Sequence, residues 1–193
     1  QNELALIHQP DHFPLAENLI PYRDQIGKRP PLASMELIWT SHKGEHLHIS
    51  GYVHTPTEIR HWETLKLMGE KDIVTIKGIE GSIDLPINRK CKIGRYQNQQ
   101  EVRILLNPEE YNFNGQMHKW KDITQWGREA IAALQNEGPL KETLEWNTGV
   151  YLWLAGLVED IEQGIKKATS LISSGHGIET LNKLITWRKN YSD

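Results

Sequence analysis

Four cations within seven residues, Arg89, Lys90, Lys92 and Arg95, are the densest run of one charge on this chain. Such a run suits phosphate groups, and on a nucleic acid it would hold them largely without sequence preference. The plain alternative is a solvated turn. Four histidines, His42, His46, His48 and His54, invite a zinc reading, because His46 and His48 would point to one face of a strand. No cysteine or closely placed carboxylate completes a convincing set, so they read as polar residues at a strand edge. Cys91, the one cysteine, sits in no nucleophile motif and reads as a buried or incidental thiol. Trp39 and Trp120 could stack on a base or an aromatic substrate, whereas Trp62, Trp126, Trp146 and Trp153 fall where helix faces pack on a sheet.

Composition narrows what these groups can serve. The 193 residues are 38% hydrophobic and 24% charged, which is enough apolar matter for a folded core. A net charge of -3 and a pI near 6.3 provide no general basic field, so binding of nucleic acid requires a local patch. A lone cysteine closes no intramolecular disulfide. No apolar run reaches the roughly 18 residues of a membrane span, and a cytoplasmic setting with no membrane partner is the expectation.

The elements that must position these side chains alternate between strand and helix. Residues 4–7 predict a short buried strand. Leu15, Leu19, Tyr22 and Ile26 share helical spacing up to Gly27, and Pro30-Pro31 breaks the chain. Residues 32–40 and 47–53 predict strands. Thr55-Pro56 predicts a capped helix start, with Thr55 as N-cap and Gly69 closing the helix, and residues 72–77 a β-branched buried strand. Strand, helix, strand is a βαβ unit and predicts a parallel sheet. Residues 92–97 and 101–106 predict a hairpin. Beyond residue 121 the pattern is helical, over 123–134, 140–155, 159–172 and 178–188. The expectation is one α/β domain over residues 1–193, with a mostly parallel sheet, flanking helices and a C-terminal helical segment.

Several motifs then resemble one family. Trp146-Asn147-Thr148-Gly149-Val150-Tyr151-Leu152-Trp153-Leu154-Ala155-Gly156 is followed by Gly164-Ile165-Lys166-Lys167-Ala168, Ser173-Ser174-Gly175 and Leu181-Asn182-Lys183-Leu184. This series resembles the anthranilate phosphoribosyltransferase family, which includes a paralogous branch associated with nucleic-acid binding. The resemblance implies the C-terminal α/β portion of a longer protein, without the family's N-terminal helical domain and the homodimer contacts made there. It implies transfer of a pentosyl group from phosphoribosyl pyrophosphate to an aromatic amine, in tryptophan biosynthesis. Asn147 matches the family's helix-start asparagine and reads as an N-cap or a helix-packing hydrogen bonder.

Residue by residue, the family's substrate-binding helix matches His12-Phe13-Pro14 through Pro21-Tyr22-Arg23-Asp24-Gln25-Ile26-Gly27. Arg23 stands where the family places an arginine on the acceptor's carboxylate, a pairing that a bidentate guanidinium suits. The family's His-Pro histidine falls on Phe13, with His12 one position early. Gly78-Ile79-Glu80-Gly81-Ser82-Ile83-Asp84 matches the segment whose acidic pair holds magnesium on the pyrophosphate, but that pair falls on Ile83 and Asp84. Asp84 alone remains for magnesium. The family's glycine-rich pyrophosphate loop does not occur in these residues, and no catalytic residue is assigned. The paralogous branch resembles Gly78 to Gly81 followed by Arg89-Lys90-Cys91, and implies an anionic partner on Arg89, Lys90, Lys92 and Arg95, joined by Arg23, Lys28 and Arg29.

Overall fold

The computed structural model of the chain describes residues 4–27, 37–40 and 42–191. Residues 4–7 form no strand, and Leu6 is 75% exposed. A four-residue apolar run without a neighbouring strand has nothing to pair with. A short helix α1 (Gln9–His12) comes first, and the helix expected from Leu15 to Ile26 is divided into α2 (Pro14–Glu17) and α3 (Ile20–Ile26). Pro14 and Pro21 each stand in the first turn of a new helix, where the missing N–H costs nothing, and both would interrupt a continuous one. The strand expected over 32–40 lies mostly outside the described residues, and residues 37–40 are not in a strand.

β1 (His48–Gly51) leads into α4 (Thr55–Leu67) and β2 (Asp72–Ile76), and β1 and β2 are parallel neighbours, as the βαβ reading expects. His54 occupies the cap position of α4, so Thr55 is the first helical residue and not the cap. The helix ends in a full Schellman turn. Gly69 takes φ +88°, its N–H donates to the Lys66 carbonyl at 3.0 Å, and the Glu70 N–H donates to the Leu65 carbonyl at 3.0 Å.

The rest of the sheet departs from expectation. β3 (Cys91–Gln97) runs antiparallel to β2, and β4 (Gln100–Leu106) antiparallel to β3, in the order β1-β2-β3-β4. The sheet is therefore mostly antiparallel, with one parallel pair. A parallel return would need a crossover helix, and residues 78–90 carry only a 3-10 turn at Ile79–Gly81, so the chain folds straight back. Asn98 and Gln99, both at positive φ, make the tight two-residue turn of the β3–β4 hairpin.

Helices α5 (Ile123–Leu134), α6 (Lys141–Leu154), α7 (Ile161–Ser173) and α8 (His176–Tyr191) follow within a few residues of expectation. Asp122 and Asp160 cap α5 and α7 by accepting the N–H of Gln125 and Gln163. One sheet face packs Val74, Ile76, Cys91 and Ile93 against Trp146, Val150 and Ile161. The other packs Ile73 against Trp62, Leu65 and Ile38. Each fully buried aliphatic side chain here contributes about 1.5–3 kcal/mol. Trp62 and Trp146 are core as expected, and Trp153 packs against the first cluster, but Trp126 is 48% exposed.

Candidate functional site

The chain leaves β2 at Lys77, whose N–H still donates to the Lys92 carbonyl of β3 at 2.9 Å. Gly78 follows in extended backbone, packed so closely on the loop that a Cβ there would lie 2.2 Å from the Ser82 carbonyl oxygen. Glu80 and Gly81 both take positive φ, and the Gly81 carbonyl comes so close to Gly51 that a side chain at residue 51 would meet it at 2.2 Å. The loop is held from several sides. Ile79 N–H donates to the Asp84 carbonyl at 3.0 Å, and Tyr151 of α6 donates its hydroxyl to the Ile83 carbonyl. Asn147 of α6 accepts the Leu85 N–H at 2.8 Å and donates to the Leu85 carbonyl at 3.1 Å. Asn147 sits inside α6, so it is a packing hydrogen bonder and not an N-cap.

A cleft of about 440 Å³ opens over this loop, and Lys77, Arg89, Lys90, Lys92 and Glu80 line it with Gly78 and Gly81. All four cations are exposed, and none is ion-paired to a carboxylate among the described residues. Lys and Arg side chains gathered around this loop give the cleft a local positive potential suited to an anion. A wider depression along α8, lined by Ile178, Asn182 and Trp187, gathers the cation Lys183, which is paired with Glu179 at 2.8 Å.

Of the cationic run, Arg89, Lys90 and Lys92 meet at the cleft and Arg95 does not. Strand alternation turns Arg95 to the opposite face from Lys92. There it pairs with Asp72 at 2.9 Å and donates to the Leu154 carbonyl. Lys77 and Glu80 complete the lining and were not anticipated. Their signal in the sequence was a lysine ending a buried strand immediately before Gly78-x-x-Gly81.

Asp84 is exposed on the same loop and accepts from the Ser82 hydroxyl at 3.1 Å. His12 ends α1, Phe13 joins α1 to α2, and Arg23 lies on α3, and these three do not line the cleft. Lys28 and Arg29 lie outside the described residues. Trp120 is 65% exposed, away from the lining of the cleft.

The histidines divide. His54 caps α4, and His42 stands edge-on to His46 with ring centroids 5.7 Å apart. Contrary to expectation, a carboxylate does reach them: Glu70 Oε2 lies 2.9 Å from His46 Nε2, and His48 joins the pair. Burial, ahead of every other influence, holds His48 below the ordinary histidine range. Cys91 is buried, and burial pushes its thiol up to about 11, which keeps it an inert core group. A buried network also escaped the sequence reading. Thr75 donates to Glu58 at 2.9 Å and accepts from the Trp62 indole at 3.0 Å, while Arg103 approaches Glu58 from the sheet edge at 3.6 Å.

No family model matches the chain. Among curated proteins it is similar to the anthranilate phosphoribosyltransferase of Paraburkholderia phymatum, 20% identical over 192 residues, covering 97% of this chain and 56% of that protein. It is similar to the enzyme of the same name from Syntrophomonas wolfei, 27% identical over 131 residues, covering 66% and 38%. Among solved structures, it resembles Saccharomyces cerevisiae anthranilate phosphoribosyltransferase in a variant with Mg bound, at TM-score 0.71 and 13% identity, covering 86% of this chain and 50% of that one. The same yeast enzyme in complex with PRPP and Mg gives TM-score 0.68 at 15% identity, covering 86% and 49%. These structural likenesses establish the fold. The chain spans about half the length of the curated relatives it matches. The fold is thus shared with anthranilate phosphoribosyltransferases, and the sequence similarity to them runs through the cleft.

Proposed function

We propose that this chain is the C-terminal α/β portion of an anthranilate phosphoribosyltransferase-like protein, and that its cationic cleft takes the phosphates of phosphoribosyl pyrophosphate. The observation that carries the reading is the convergence of Lys77, Arg89, Lys90 and Lys92 on the Gly78–Gly81 loop, where none of the four is ion-paired among the described residues. In the reaction, the nitrogen of an aromatic amine bonds to the anomeric carbon, the bond from that carbon to pyrophosphate breaks, and the amine loses a proton. The cations would offset the charge that develops on the departing pyrophosphate. Arg23 would pair with an acceptor carboxylate, with His12 and Phe13 beside the acceptor. We place the glycine-rich pyrophosphate loop and the dimer-forming helices outside this stretch, and the protein in the cytoplasm. No described helix is long and apolar enough to cross a membrane.

Magnesium is commonly held by one or two carboxylates plus phosphate oxygens. Asp84, a single exposed carboxylate on the cleft loop, fits an ion that arrives with the phosphates and does not form a protein cage for one. Bound there, magnesium would neutralise pyrophosphate charge.

The same exposed cations also favour a second reading, a non-catalytic paralogue that holds nucleic acid. Tryptophan fluorescence separates the two. Under the first reading phosphoribosyl pyrophosphate saturates the chain, and Arg89→Ala with Lys90→Ala abolishes the response. Under the second, a single-stranded oligonucleotide binds instead, and its affinity falls with salt at a logarithmic slope of about −0.7 per phosphate contacted. Failure of both ligands to bind sinks both readings.

A further inference from the structure

We infer that His46, His48 and Glu70 form a transition-metal site of the zinc class, with a fourth position left for water or an external group. Two histidine nitrogens and a carboxylate oxygen are a donor set that zinc accepts, three protein ligands with one position open. The βαβ unit brings them together. In that unit the helix runs back against the strands, so the turn after α4 must return to the level where β1 begins. His48 opens β1 in register with Ile73, and Glu70 stands just before β2. The Schellman turn at Gly69 fixes the backbone of Glu70 beside the strand entry. His46 stands in the segment leading into β1, two residues before His48, and the ligand atoms of both lie near that of Glu70.

One ligand atom from each of the three residues lies within 4.8 Å of the other two. The His46 and Glu70 atoms, at 2.9 Å, are already near the roughly 3.3 Å expected of two ligands at tetrahedral angles on bonds of about 2.0 Å.

Hydrogen bonding at His46 is an independent observation pointing to a ligand. His46 Nδ1 lies 2.7 Å from the Gly44 carbonyl, an acceptor only, so Nδ1 carries the proton and a neutral ring presents a bare lone pair at Nε2. That outer bond is the arrangement that orients metal-ligating histidines. Nε2 is shut off from solvent and makes no hydrogen bond of acceptable geometry, although Glu70 Oε2 lies 2.9 Å away. A lone pair facing a carboxylate oxygen at that distance is repulsive without a cation between or beside them. Glu70 is itself only 10% exposed at its side chain, so bulk water does not relieve the contact. The site is remote in sequence from the cleft residues and stands independently of the proposed reaction.

Calorimetric titration of zinc into the chain, free of any affinity tag, tests the site, with magnesium as control. One zinc should saturate each chain, cobalt in its place should show the visible bands of low-coordinate cobalt, and zinc but not magnesium should raise the melting temperature. Outer partners of metal ligands alone are worth about 10- to 100-fold in affinity, so Glu70→Gln and His46→Ala should each weaken zinc by at least about tenfold. His54→Ala, at the cap of α4, should leave zinc binding unchanged. The inference is overturned by the absence of saturable zinc binding, which would leave a protonated His46–Glu70 ion pair, or by binding that survives Glu70→Gln at full strength. If His46→Ala fails to fold by circular dichroism, Glu70→Gln keeps the side-chain shape and decides the question.

Discussion

At the scale of single residues, chemical character was legible and partnership was not. The basic run beginning at Arg89 read as a patch, yet β-strand alternation assigns Lys92 to the cleft and turns Arg95 to Asp72 on the other face. Nothing in the run itself says which cation faces which way. Cys91 behaves as its isolation suggested. Its buried, upshifted thiol should not react with a disulfide reagent near pH 8 in the native protein and should react fully in denaturant, as absorbance of the released thiolate would report; rapid native reaction would contradict its burial. Asn147 carries more than the packing role read for it, because it satisfies both backbone groups of Leu85. Asn147→Ala should cost about 1–3 kcal/mol in urea unfolding, because it leaves both backbone groups of Leu85 without their partner.

At the scale of elements, the helices from residue 123 onward were legible because apolar spacing and acidic caps agree: Asp122 and Asp160 stand where they cap. The helix expected around Leu19 was divided because Pro14 and Pro21 outweigh an apolar spacing that is mostly left exposed, Leu15 at 74% and Ile26 at 64%. The contact between α6 and α7 depends on two small residues whose pairing the sequence does not announce. A Cβ at Gly164 would lie 2.2 Å from the Gly149 carbonyl oxygen, so the two helices touch backbone to backbone. Gly164→Ala should force them apart and destabilise the fold by about 1–3 kcal/mol, despite alanine's higher helix propensity, and chemical denaturation measures the balance. A stabilised variant would show that the helices separate without cost.

At the scale of the whole molecule, buried histidine chemistry ties stability to pH. His61 is held below its ordinary value of 6.5, first by burial and then by His48, so the unfolded chain takes up a proton more readily than the folded one. Its contribution is therefore complete above pH 6.5 and is lost as pH falls through the depressed folded value. Urea midpoints measured with chelator present should drop between about pH 7 and pH 5, and His61→Gln should flatten that drop. A wild-type midpoint that stays level would exclude a neutral buried His61. The sequence by itself determined what local rules decide: an α/β chain, the βαβ unit from β1 to β2, the tight hairpin after it, and the helical closing third, because periodicity, caps and turn residues act over a few positions. It also carried the family resemblance, through the motifs after Trp146. Tertiary structure alone decided that the sheet is mostly antiparallel, that Lys77 and Glu80 join Arg89, Lys90 and Lys92 at one cleft, and that Glu70 meets His46 and His48. Those outcomes depend on which strand edge the chain returns to and on how a helix runs back across its strands, relations between segments that no short window of sequence contains.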